Sequence, residues 1–116
     1  MLKVYNGTET YMPPQMLEKK EYHAVKADIF YLGSLLYIIV VGAPCFKYAI
    51  KTDDYYKHIV ARDNNAFFNS LRTNTNIVNT LSTEFKNLLT RMIAYEEGER
   101  PENIQVILND VWFNGI

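Results

Sequence analysis

The sequence predicts an all-α fold built around one central apolar helix, on three observations. The longest apolar run, Asp28-Ile-Phe-Tyr-Leu-Gly-Ser-Leu-Leu-Tyr-Ile-Ile-Val-Val-Gly42, has Leu32, Leu35, Leu36, Ile39 and Val40 at helical spacing. Ile29, Phe30, Ile38 and Val41 fill its remaining directions, and a helix apolar on all sides must be surrounded by protein or by lipid. The run from Ile29 to Val41, broken by Gly33 and Ser34, falls short of the ~20 residues a bilayer needs, which favours a core helix over a membrane segment. Second, Phe85, Leu88, Leu89, Met92 and Ile93 fall at i, i+3, i+4, i+7 and i+8, an amphipathic helix. Third, no stretch alternates apolar and polar residues as a half-buried strand does.

In chain order, Met1 to Tyr11 reads as loop, with Gly7 giving backbone freedom. Met12-Pro13-Pro14 disfavours a preceding helix, because a residue before proline is pushed to extended conformations. Pro14 can open a short helix through Gln15, Met16 and Leu17, since its missing N–H costs nothing at the first helical position. Glu18 to Lys26 is polar and expected to be exposed. Asp28 lies where an acceptor can bind free amides at the start of the central helix. Gly42-Ala43-Pro44 stops that helix, and Phe46 is expected to tuck back against the core. Thr52-Asp53-Asp54 signals another helix start ahead of Tyr55, Tyr56, Ile59 and Val60. Arg62-Asp63-Asn64-Asn65 interrupts, and Ala66-Phe67-Phe68 forms one further apolar turn. Asn69 to Thr80 reads as a long loop tethered by Ile77 and Val78. Ser82 caps the amphipathic helix, Glu96-Glu97-Gly98-Glu99 ends it, and Pro101 starts a last helix carrying Ile104, Ile107, Leu108, Val111 and Trp112.

Composition narrows the function. With 116 residues, 48% hydrophobic and 14% aromatic, this is one globular domain or a piece of one. A net charge of −1 without a basic stripe argues against nucleic acid as a partner. The single Cys45 cannot form an internal disulfide, and His23 and His58 stand alone, so no zinc site is expected. Met1 to Tyr5 has neither the apolar core nor the cleavage pattern of a signal peptide, and Asn6-Gly7-Thr8 is a glycosylation sequon without meaning in an unsecreted chain. The expectation is an intracellular, cytoplasmic protein with no membrane partner.

Several segments then read together. Gly7-Thr8-Glu9-Thr10-Tyr11-Met12-Pro13-Pro14-Gln15 resembles the Gly-Thr-x-x-Tyr-Met-Ala-Pro-Glu segment that closes the activation segment of eukaryotic protein kinases. The Asp28 run is similar to the family's Asp-Val-Trp-Ser-Leu-Gly-Val-x-Leu-Tyr helix, and Gly42-Ala43-Pro44-Cys45-Phe46 to its Gly-x-x-Pro-Phe. Phe85 to Trp112, with Arg100-Pro101, resembles the family's final helices. Four pieces in order span nearly the whole chain and imply a partial kinase C-terminal lobe over residues 1–116. Thr8 leans toward the Ser/Thr kinases. The spacing of Tyr55-Tyr56 from Phe67-Phe68 and the Trp112-Phe113 ending lean toward the calmodulin-dependent-kinase-like branch.

The resemblance also defines what the chain does not carry. Phosphoryl transfer in this family needs a Gly-rich loop, a strand lysine paired to a helix glutamate, a catalytic-loop Asp and Asn, and the metal-binding Asp-Phe-Gly. None occurs in this sequence, so neither catalytic residues nor ATP or Mg²⁺ sites are expected in the chain by itself. By resemblance, Gly7 and Thr8 belong to the substrate-positioning loop, and Pro14, Gln15, Asp28, Gly33 and Arg100 are structural. Thr8 implies a hydrogen bond to the catalytic Asp, Asp28 implies binding of catalytic-loop amides, and Gly33 implies close backbone packing. Arg100 matches the arginine that pairs with the glutamate of Ala-Pro-Glu. Here Gln15 replaces that glutamate and Pro13 the alanine, a departure expected where selection for kinase activity has relaxed. A neutral amide can still accept from Arg100, for ~1 kcal/mol against ~1.5–3 kcal/mol to a charged partner.

Two readings of function follow. The first is a fragment of a Ser/Thr protein kinase domain: a truncated product, a split gene or a degenerate copy. The second is a non-catalytic, pseudokinase-like module docking a partner kinase or its substrate through Tyr55, Tyr56, Phe67 and Phe68, for which partial core burial is the favoured alternative. The family's central helix is also covered by an earlier helix and the catalytic loop. Leaving large apolar side chains exposed forfeits ~1.5–3 kcal/mol each, against a domain stability of only ~5–15 kcal/mol. The isolated chain is therefore expected to be molten, aggregating or partner-dependent, and calorimetry should show no sharp, reversible transition in dilute solution.

Overall fold

The computed structural model describes residues 11–71 and 75–114. Gly7 and Thr8 lie outside them. Among the described residues the fold is all-α, as the sequence predicts, with no strand. In order, the helices are α1 (Pro14–Leu17), α2 (Ala24–Val41), α3 (Tyr56–Val60), α4 (Asn64–Ser70), α5 (Thr75–Val78), α6 (Thr83–Met92), α7 (Ile104–Leu108) and α8 (Val111–Asn114). A 3₁₀ turn spans Glu97–Glu99.

The core forms where α2 crosses α6. Phe85, Leu88, Leu89, Met92 and Ile93 are all buried, so the stripe read from the sequence is the inner face of α6. Phe30, Tyr37 and Val41 meet it from α2, and Tyr56, Ile59, Phe67, Phe68, Leu71 and Val78 close the main cluster. Ile29, Leu88, Met92 and Ile107 form a second, smaller one. The helices approach closely at Gly33, where an added Cβ would lie 2.8 Å from Met92 Cβ and 2.9 Å from Ile93 Cγ2. Ser34, the next residue, is buried, and its hydroxyl has no partner among the described residues.

Local chemistry explains most helix ends. Ser82 Oγ accepts from the Phe85 amide at 3.1 Å and caps α6. Asp63 accepts from the Ala66 amide at 3.0 Å and starts α4, which extends the single apolar turn expected there. Gly42, at φ 92°, ends α2 with its N–H on Ile38 O at 2.7 Å. Phe46 does return to the core, with its ring centroid 4.9 Å from that of Tyr56. Asp53 starts more than a helix. Its carboxylate accepts from Lys47 and Tyr48 at 3.1 Å and from Tyr55 and Tyr56 at 2.9 Å, folding the whole connection.

Four expectations are corrected. α2 begins at Ala24, so Asp28 is not its cap; it sits exposed inside the helix, because burial of Lys26 and Ala27 draws the earlier residues into helical geometry. The polar stretch is not wholly exposed, since Lys26 is buried. The loop over 69–80 is interrupted by α5, which buries Val78 and leaves Ile77 exposed. The last helix starts at Ile104 under an Asn103 cap and breaks before α8, where Asp110 accepts from the Trp112 amide at 2.9 Å. Of the apolar residues on α7, Ile107 is buried and Ile104 and Leu108 are exposed.

By length and composition α2 could cross a membrane. In this fold one side of it packs on α6, while Val25, Leu32, Leu35 and Ile39 share an exposed side with Asp28. Two substitutions separate the faces. Gly33→Ala adds a clash of ~1–3 kcal/mol, offset by a gain of ~1 kcal/mol in helix propensity, so a net loss of up to about 2 kcal/mol should appear in urea unfolding. Ile39→Gln should shift the same midpoint by less than about 0.5 kcal/mol.

Candidate functional site

Of the residues singled out by sequence, Pro14 and Gln15 converge on Arg100, which is 3% exposed. Its Nε donates to Ala94 O at 2.9 Å and its Nη1 to Lys26 O at 3.1 Å. Its Nη2 donates to Gln15 Oε1 at 2.8 Å and to Tyr95 O at 3.3 Å. The guanidinium carbon lies 5.0 Å from the Phe30 ring centroid, within cation–π range. Lys26 returns the contact, with Nζ donating to Arg100 O at 2.9 Å and lying 3.6 Å from Glu102.

Gln15 occupies this site with both ends of its amide. Oε1 accepts from Arg100, and Nε2 donates to Tyr95 O at 2.6 Å. Pro13 and Pro14 set the extended entry and first turn that deliver the side chain inward. Burial pulls the Arg100 pKa down from its ordinary value, against the pull of Tyr56, Glu97 and Glu96 in the other direction.

A second set of contacts holds the same segment at the surface. Tyr95 Oη donates to Glu18, 3.0 Å from Oε1 and 2.8 Å from Oε2, and Lys20 Nζ pairs with Glu18 at 2.9 Å. Lys51 lies 5.3 Å from the Tyr95 ring centroid. The His23 amide donates to Glu97 Oε2 at 2.8 Å.

Pro14, Gln15 and Arg100 are thus brought together, whereas Gly33 belongs to the α2–α6 contact and Asp28 to the outer side of α2. The Asp28 carboxylate accepts no hydrogen bond from another described residue. Tyr56, Phe67 and Phe68 are core residues and cannot form the docking surface considered for them; only Tyr55 is partly exposed. Tyr56 Oη donates to Ile93 O at 2.9 Å, and burial drives its pKa well up. Burial likewise raises the Cys45 thiol, leaving it without nucleophilic character near neutral pH. Among the described residues no group of three or more His, Cys, Asp or Glu could hold a metal.

Sequence reasoning missed Lys26, Glu18 and Tyr95. Lys26 precedes Phe30 by four and Gly33 by seven residues, which places it on the buried side once the helix is extended backward. Nothing local links Glu18 to a tyrosine 77 positions away.

This all-helical arrangement, with an arginine near the chain's end holding a segment near its beginning, is consistent with the helical part of a protein kinase domain. Residues 1–113 match the protein kinase domain family, and the chain belongs to it. It is similar to the probable serine/threonine-protein kinase MARK-A of Dictyostelium discoideum, at 27% identity over 97% of this chain and 9% of that protein. An Aurora kinase of Eremothecium gossypii is 31% identical over 84% of this chain and 23% of its own length. The serine/threonine-protein kinase SRK2A of Physcomitrium patens is 32% identical over 92% and 29%. The chain therefore represents a Ser/Thr kinase domain in part, spanning less than a third of each of these relatives.

Replacing Gln15 with Leu leaves Arg100 Nη2 and Tyr95 O one partner short inside the protein. The expected loss is about 1–3 kcal/mol of unfolding free energy in denaturant titration. Arg100→Met, which strips the same node of every guanidinium donor, should cost more.

Proposed function

We propose that the chain is the helical platform of a Ser/Thr protein kinase C-lobe, from the end of the activation segment onward. ATP-dependent phosphorylation of protein Ser/Thr is the reaction of the whole domain, and these 116 residues by themselves neither bind ATP nor transfer phosphate. The observation that carries the reading is the outer side of α2. There an exposed carboxylate, Asp28, stands in line with exposed Val25, Leu32, Leu35 and Ile39. Such a surface suits a covering segment that offers backbone amides to Asp28 and apolar side chains to the stripe.

The two buried cations near the chain's functional residues do not offer a site for the phosphates of ATP, which supports this reading. Arg100 is a cation of the kind that binds phosphate, but it is buried and its donors are occupied by Ala94, Lys26, Tyr95 and Gln15. Lys26 is buried too, with Nζ bonded to Arg100 O. An intracellular location follows from the same reading.

The test uses the chain alone and with a covering piece. Incubated with labelled ATP, Mg²⁺ and a general Ser/Thr substrate protein, the chain alone should incorporate no label; incorporation would overturn the inactive reading. The preceding part of the Eremothecium gossypii kinase domain, supplied in trans, should bind it and raise its unfolding temperature. Asp28→Ala should weaken that binding about tenfold or more, as loss of charge-assisted hydrogen bonds does. Equal binding by the variant would remove Asp28 from the proposed contact.

A further inference from the structure

Residues 13–20 form a strap lying on the turn over residues 94–100, and the two side chains that tie it to that turn, Gln15 and Glu18, differ in kind. At the inner point, the neutral amide of Gln15 is bonded to Arg100 and to Tyr95 O. At the outer point, the Glu18 carboxylate takes the Tyr95 hydroxyl on both oxygens and pairs with Lys20. Beyond these points, Met16 Sδ accepts from Tyr31 Oη at 3.8 Å and Leu17 packs against the main cluster, while the backbone of the strap closes on itself. The Met16 and Leu17 amides bond Pro13 O, Glu18 N bonds Pro14 O, and Lys20 N bonds Gln15 O. Its reversal passes through Lys19 at φ 60°, a left-handed conformation that a side chain resists and that outside contacts must hold.

We infer that Glu18 and Tyr95 form a charge-dependent latch that keeps this strap closed and can be released while the helical core stays folded. With an uncharged residue at position 15, Glu18 supplies the ionised side chain through which the strap grips the turn. The groups facing Glu18 are the Tyr95 hydroxyl from the turn, Lys20 from the strap and Lys51 from the connection between α2 and α3; Glu96 acts on Lys20 from the far side. Desolvation raises the Glu18 pKa, but Lys20, Tyr95 and Lys51 together outweigh it and hold the carboxyl below the usual value of 4.5. A depressed carboxyl pKa stabilises the closed strap above the unfolded value, and the contribution is lost as pH falls through the folded one. The latch is thus closed at neutral pH and opened by acid. It stands on these contacts alone and does not depend on the reading of the chain as a kinase platform.

Hydrogen exchange of the full chain tests it, following the Leu17, Glu18 and Lys20 amides for the strap and the Leu89 and Met92 amides for the core. After correction for intrinsic rates, wild type should show protected strap amides at pH 7 that lose protection below about pH 4.5, ahead of the core. At pH 7, Glu18→Gln and Tyr95→Phe should each speed strap exchange about fivefold, the scale of a partly exposed charged contact, and leave core exchange unchanged. Glu18→Gln should also flatten the acid dependence. Unprotected strap amides in wild type, unchanged strap exchange in both variants, or equal acceleration of strap and core would each overturn the latch.

Discussion

Arg100 is where three distant stretches of the chain meet. It lies buried among Gln15 of α1, the carbonyl of Lys26 near the start of α2, and the carbonyls of Ala94 and Tyr95 after α6. Desolvating a guanidinium costs several kcal/mol unless its donors are met, and here each nitrogen donates, to three backbone carbonyls and the Gln15 side-chain oxygen. The planar fork of arginine suits this arrangement because its donors diverge in one plane toward separate acceptors. The strap, the entrance to α2 and the turn before α7 take their relative positions from this node. Lys26 adds a second buried cation that points back at the Arg100 carbonyl, so side chain and backbone of the two residues are exchanged.

Gln15 changes in meaning once its surroundings are known. Its replacement of the family glutamate reads as the loss of an ion pair, and relaxed selection is the first explanation. The structure shows a gain beside that loss. A carboxylate could accept from Arg100 but could not donate to Tyr95 O, whereas the amide does both. The node is electrically unbalanced yet satisfied in hydrogen bonds, and the charged contact of the strap lies farther out, at Glu18.

The central helix is divided lengthwise. One side, with Phe30, Gly33, Tyr37 and Val41, belongs to the core, and Gly33 lets Met92 and Ile93 close against its backbone. The opposite side presents Leu32, Leu35 and Ile39 to solvent, with Ile39 70% exposed. Hydrophobicity alone makes the two sides alike, since both carry large aliphatic residues. Which side has a partner here is a property of the assembled fold. Among the described residues nothing covers this side, which is what motivates the proposed platform role and the marginal stability expected of the chain alone.

The sequence by itself determined whatever rests on local periodicity and capping: the α6 stripe with its Ser82 cap, the stop at Gly42, and the start signalled by Asp53. These are legible because the interacting groups lie within one or two turns of each other. The motifs likewise carried the family and the pairing of Gln15 with Arg100. Only the tertiary structure decided that α2 reaches back to Ala24, that Lys26 is buried, that the last helix breaks at Asp110, and that Tyr56, Phe67 and Phe68 are core rather than surface. Each of these depends on a partner far away in sequence. Lys26 meets Arg100 74 positions later, and Tyr56 meets Ile93 37 positions later. Burial and charge satisfaction are settled by such meetings, which a local pattern does not encode.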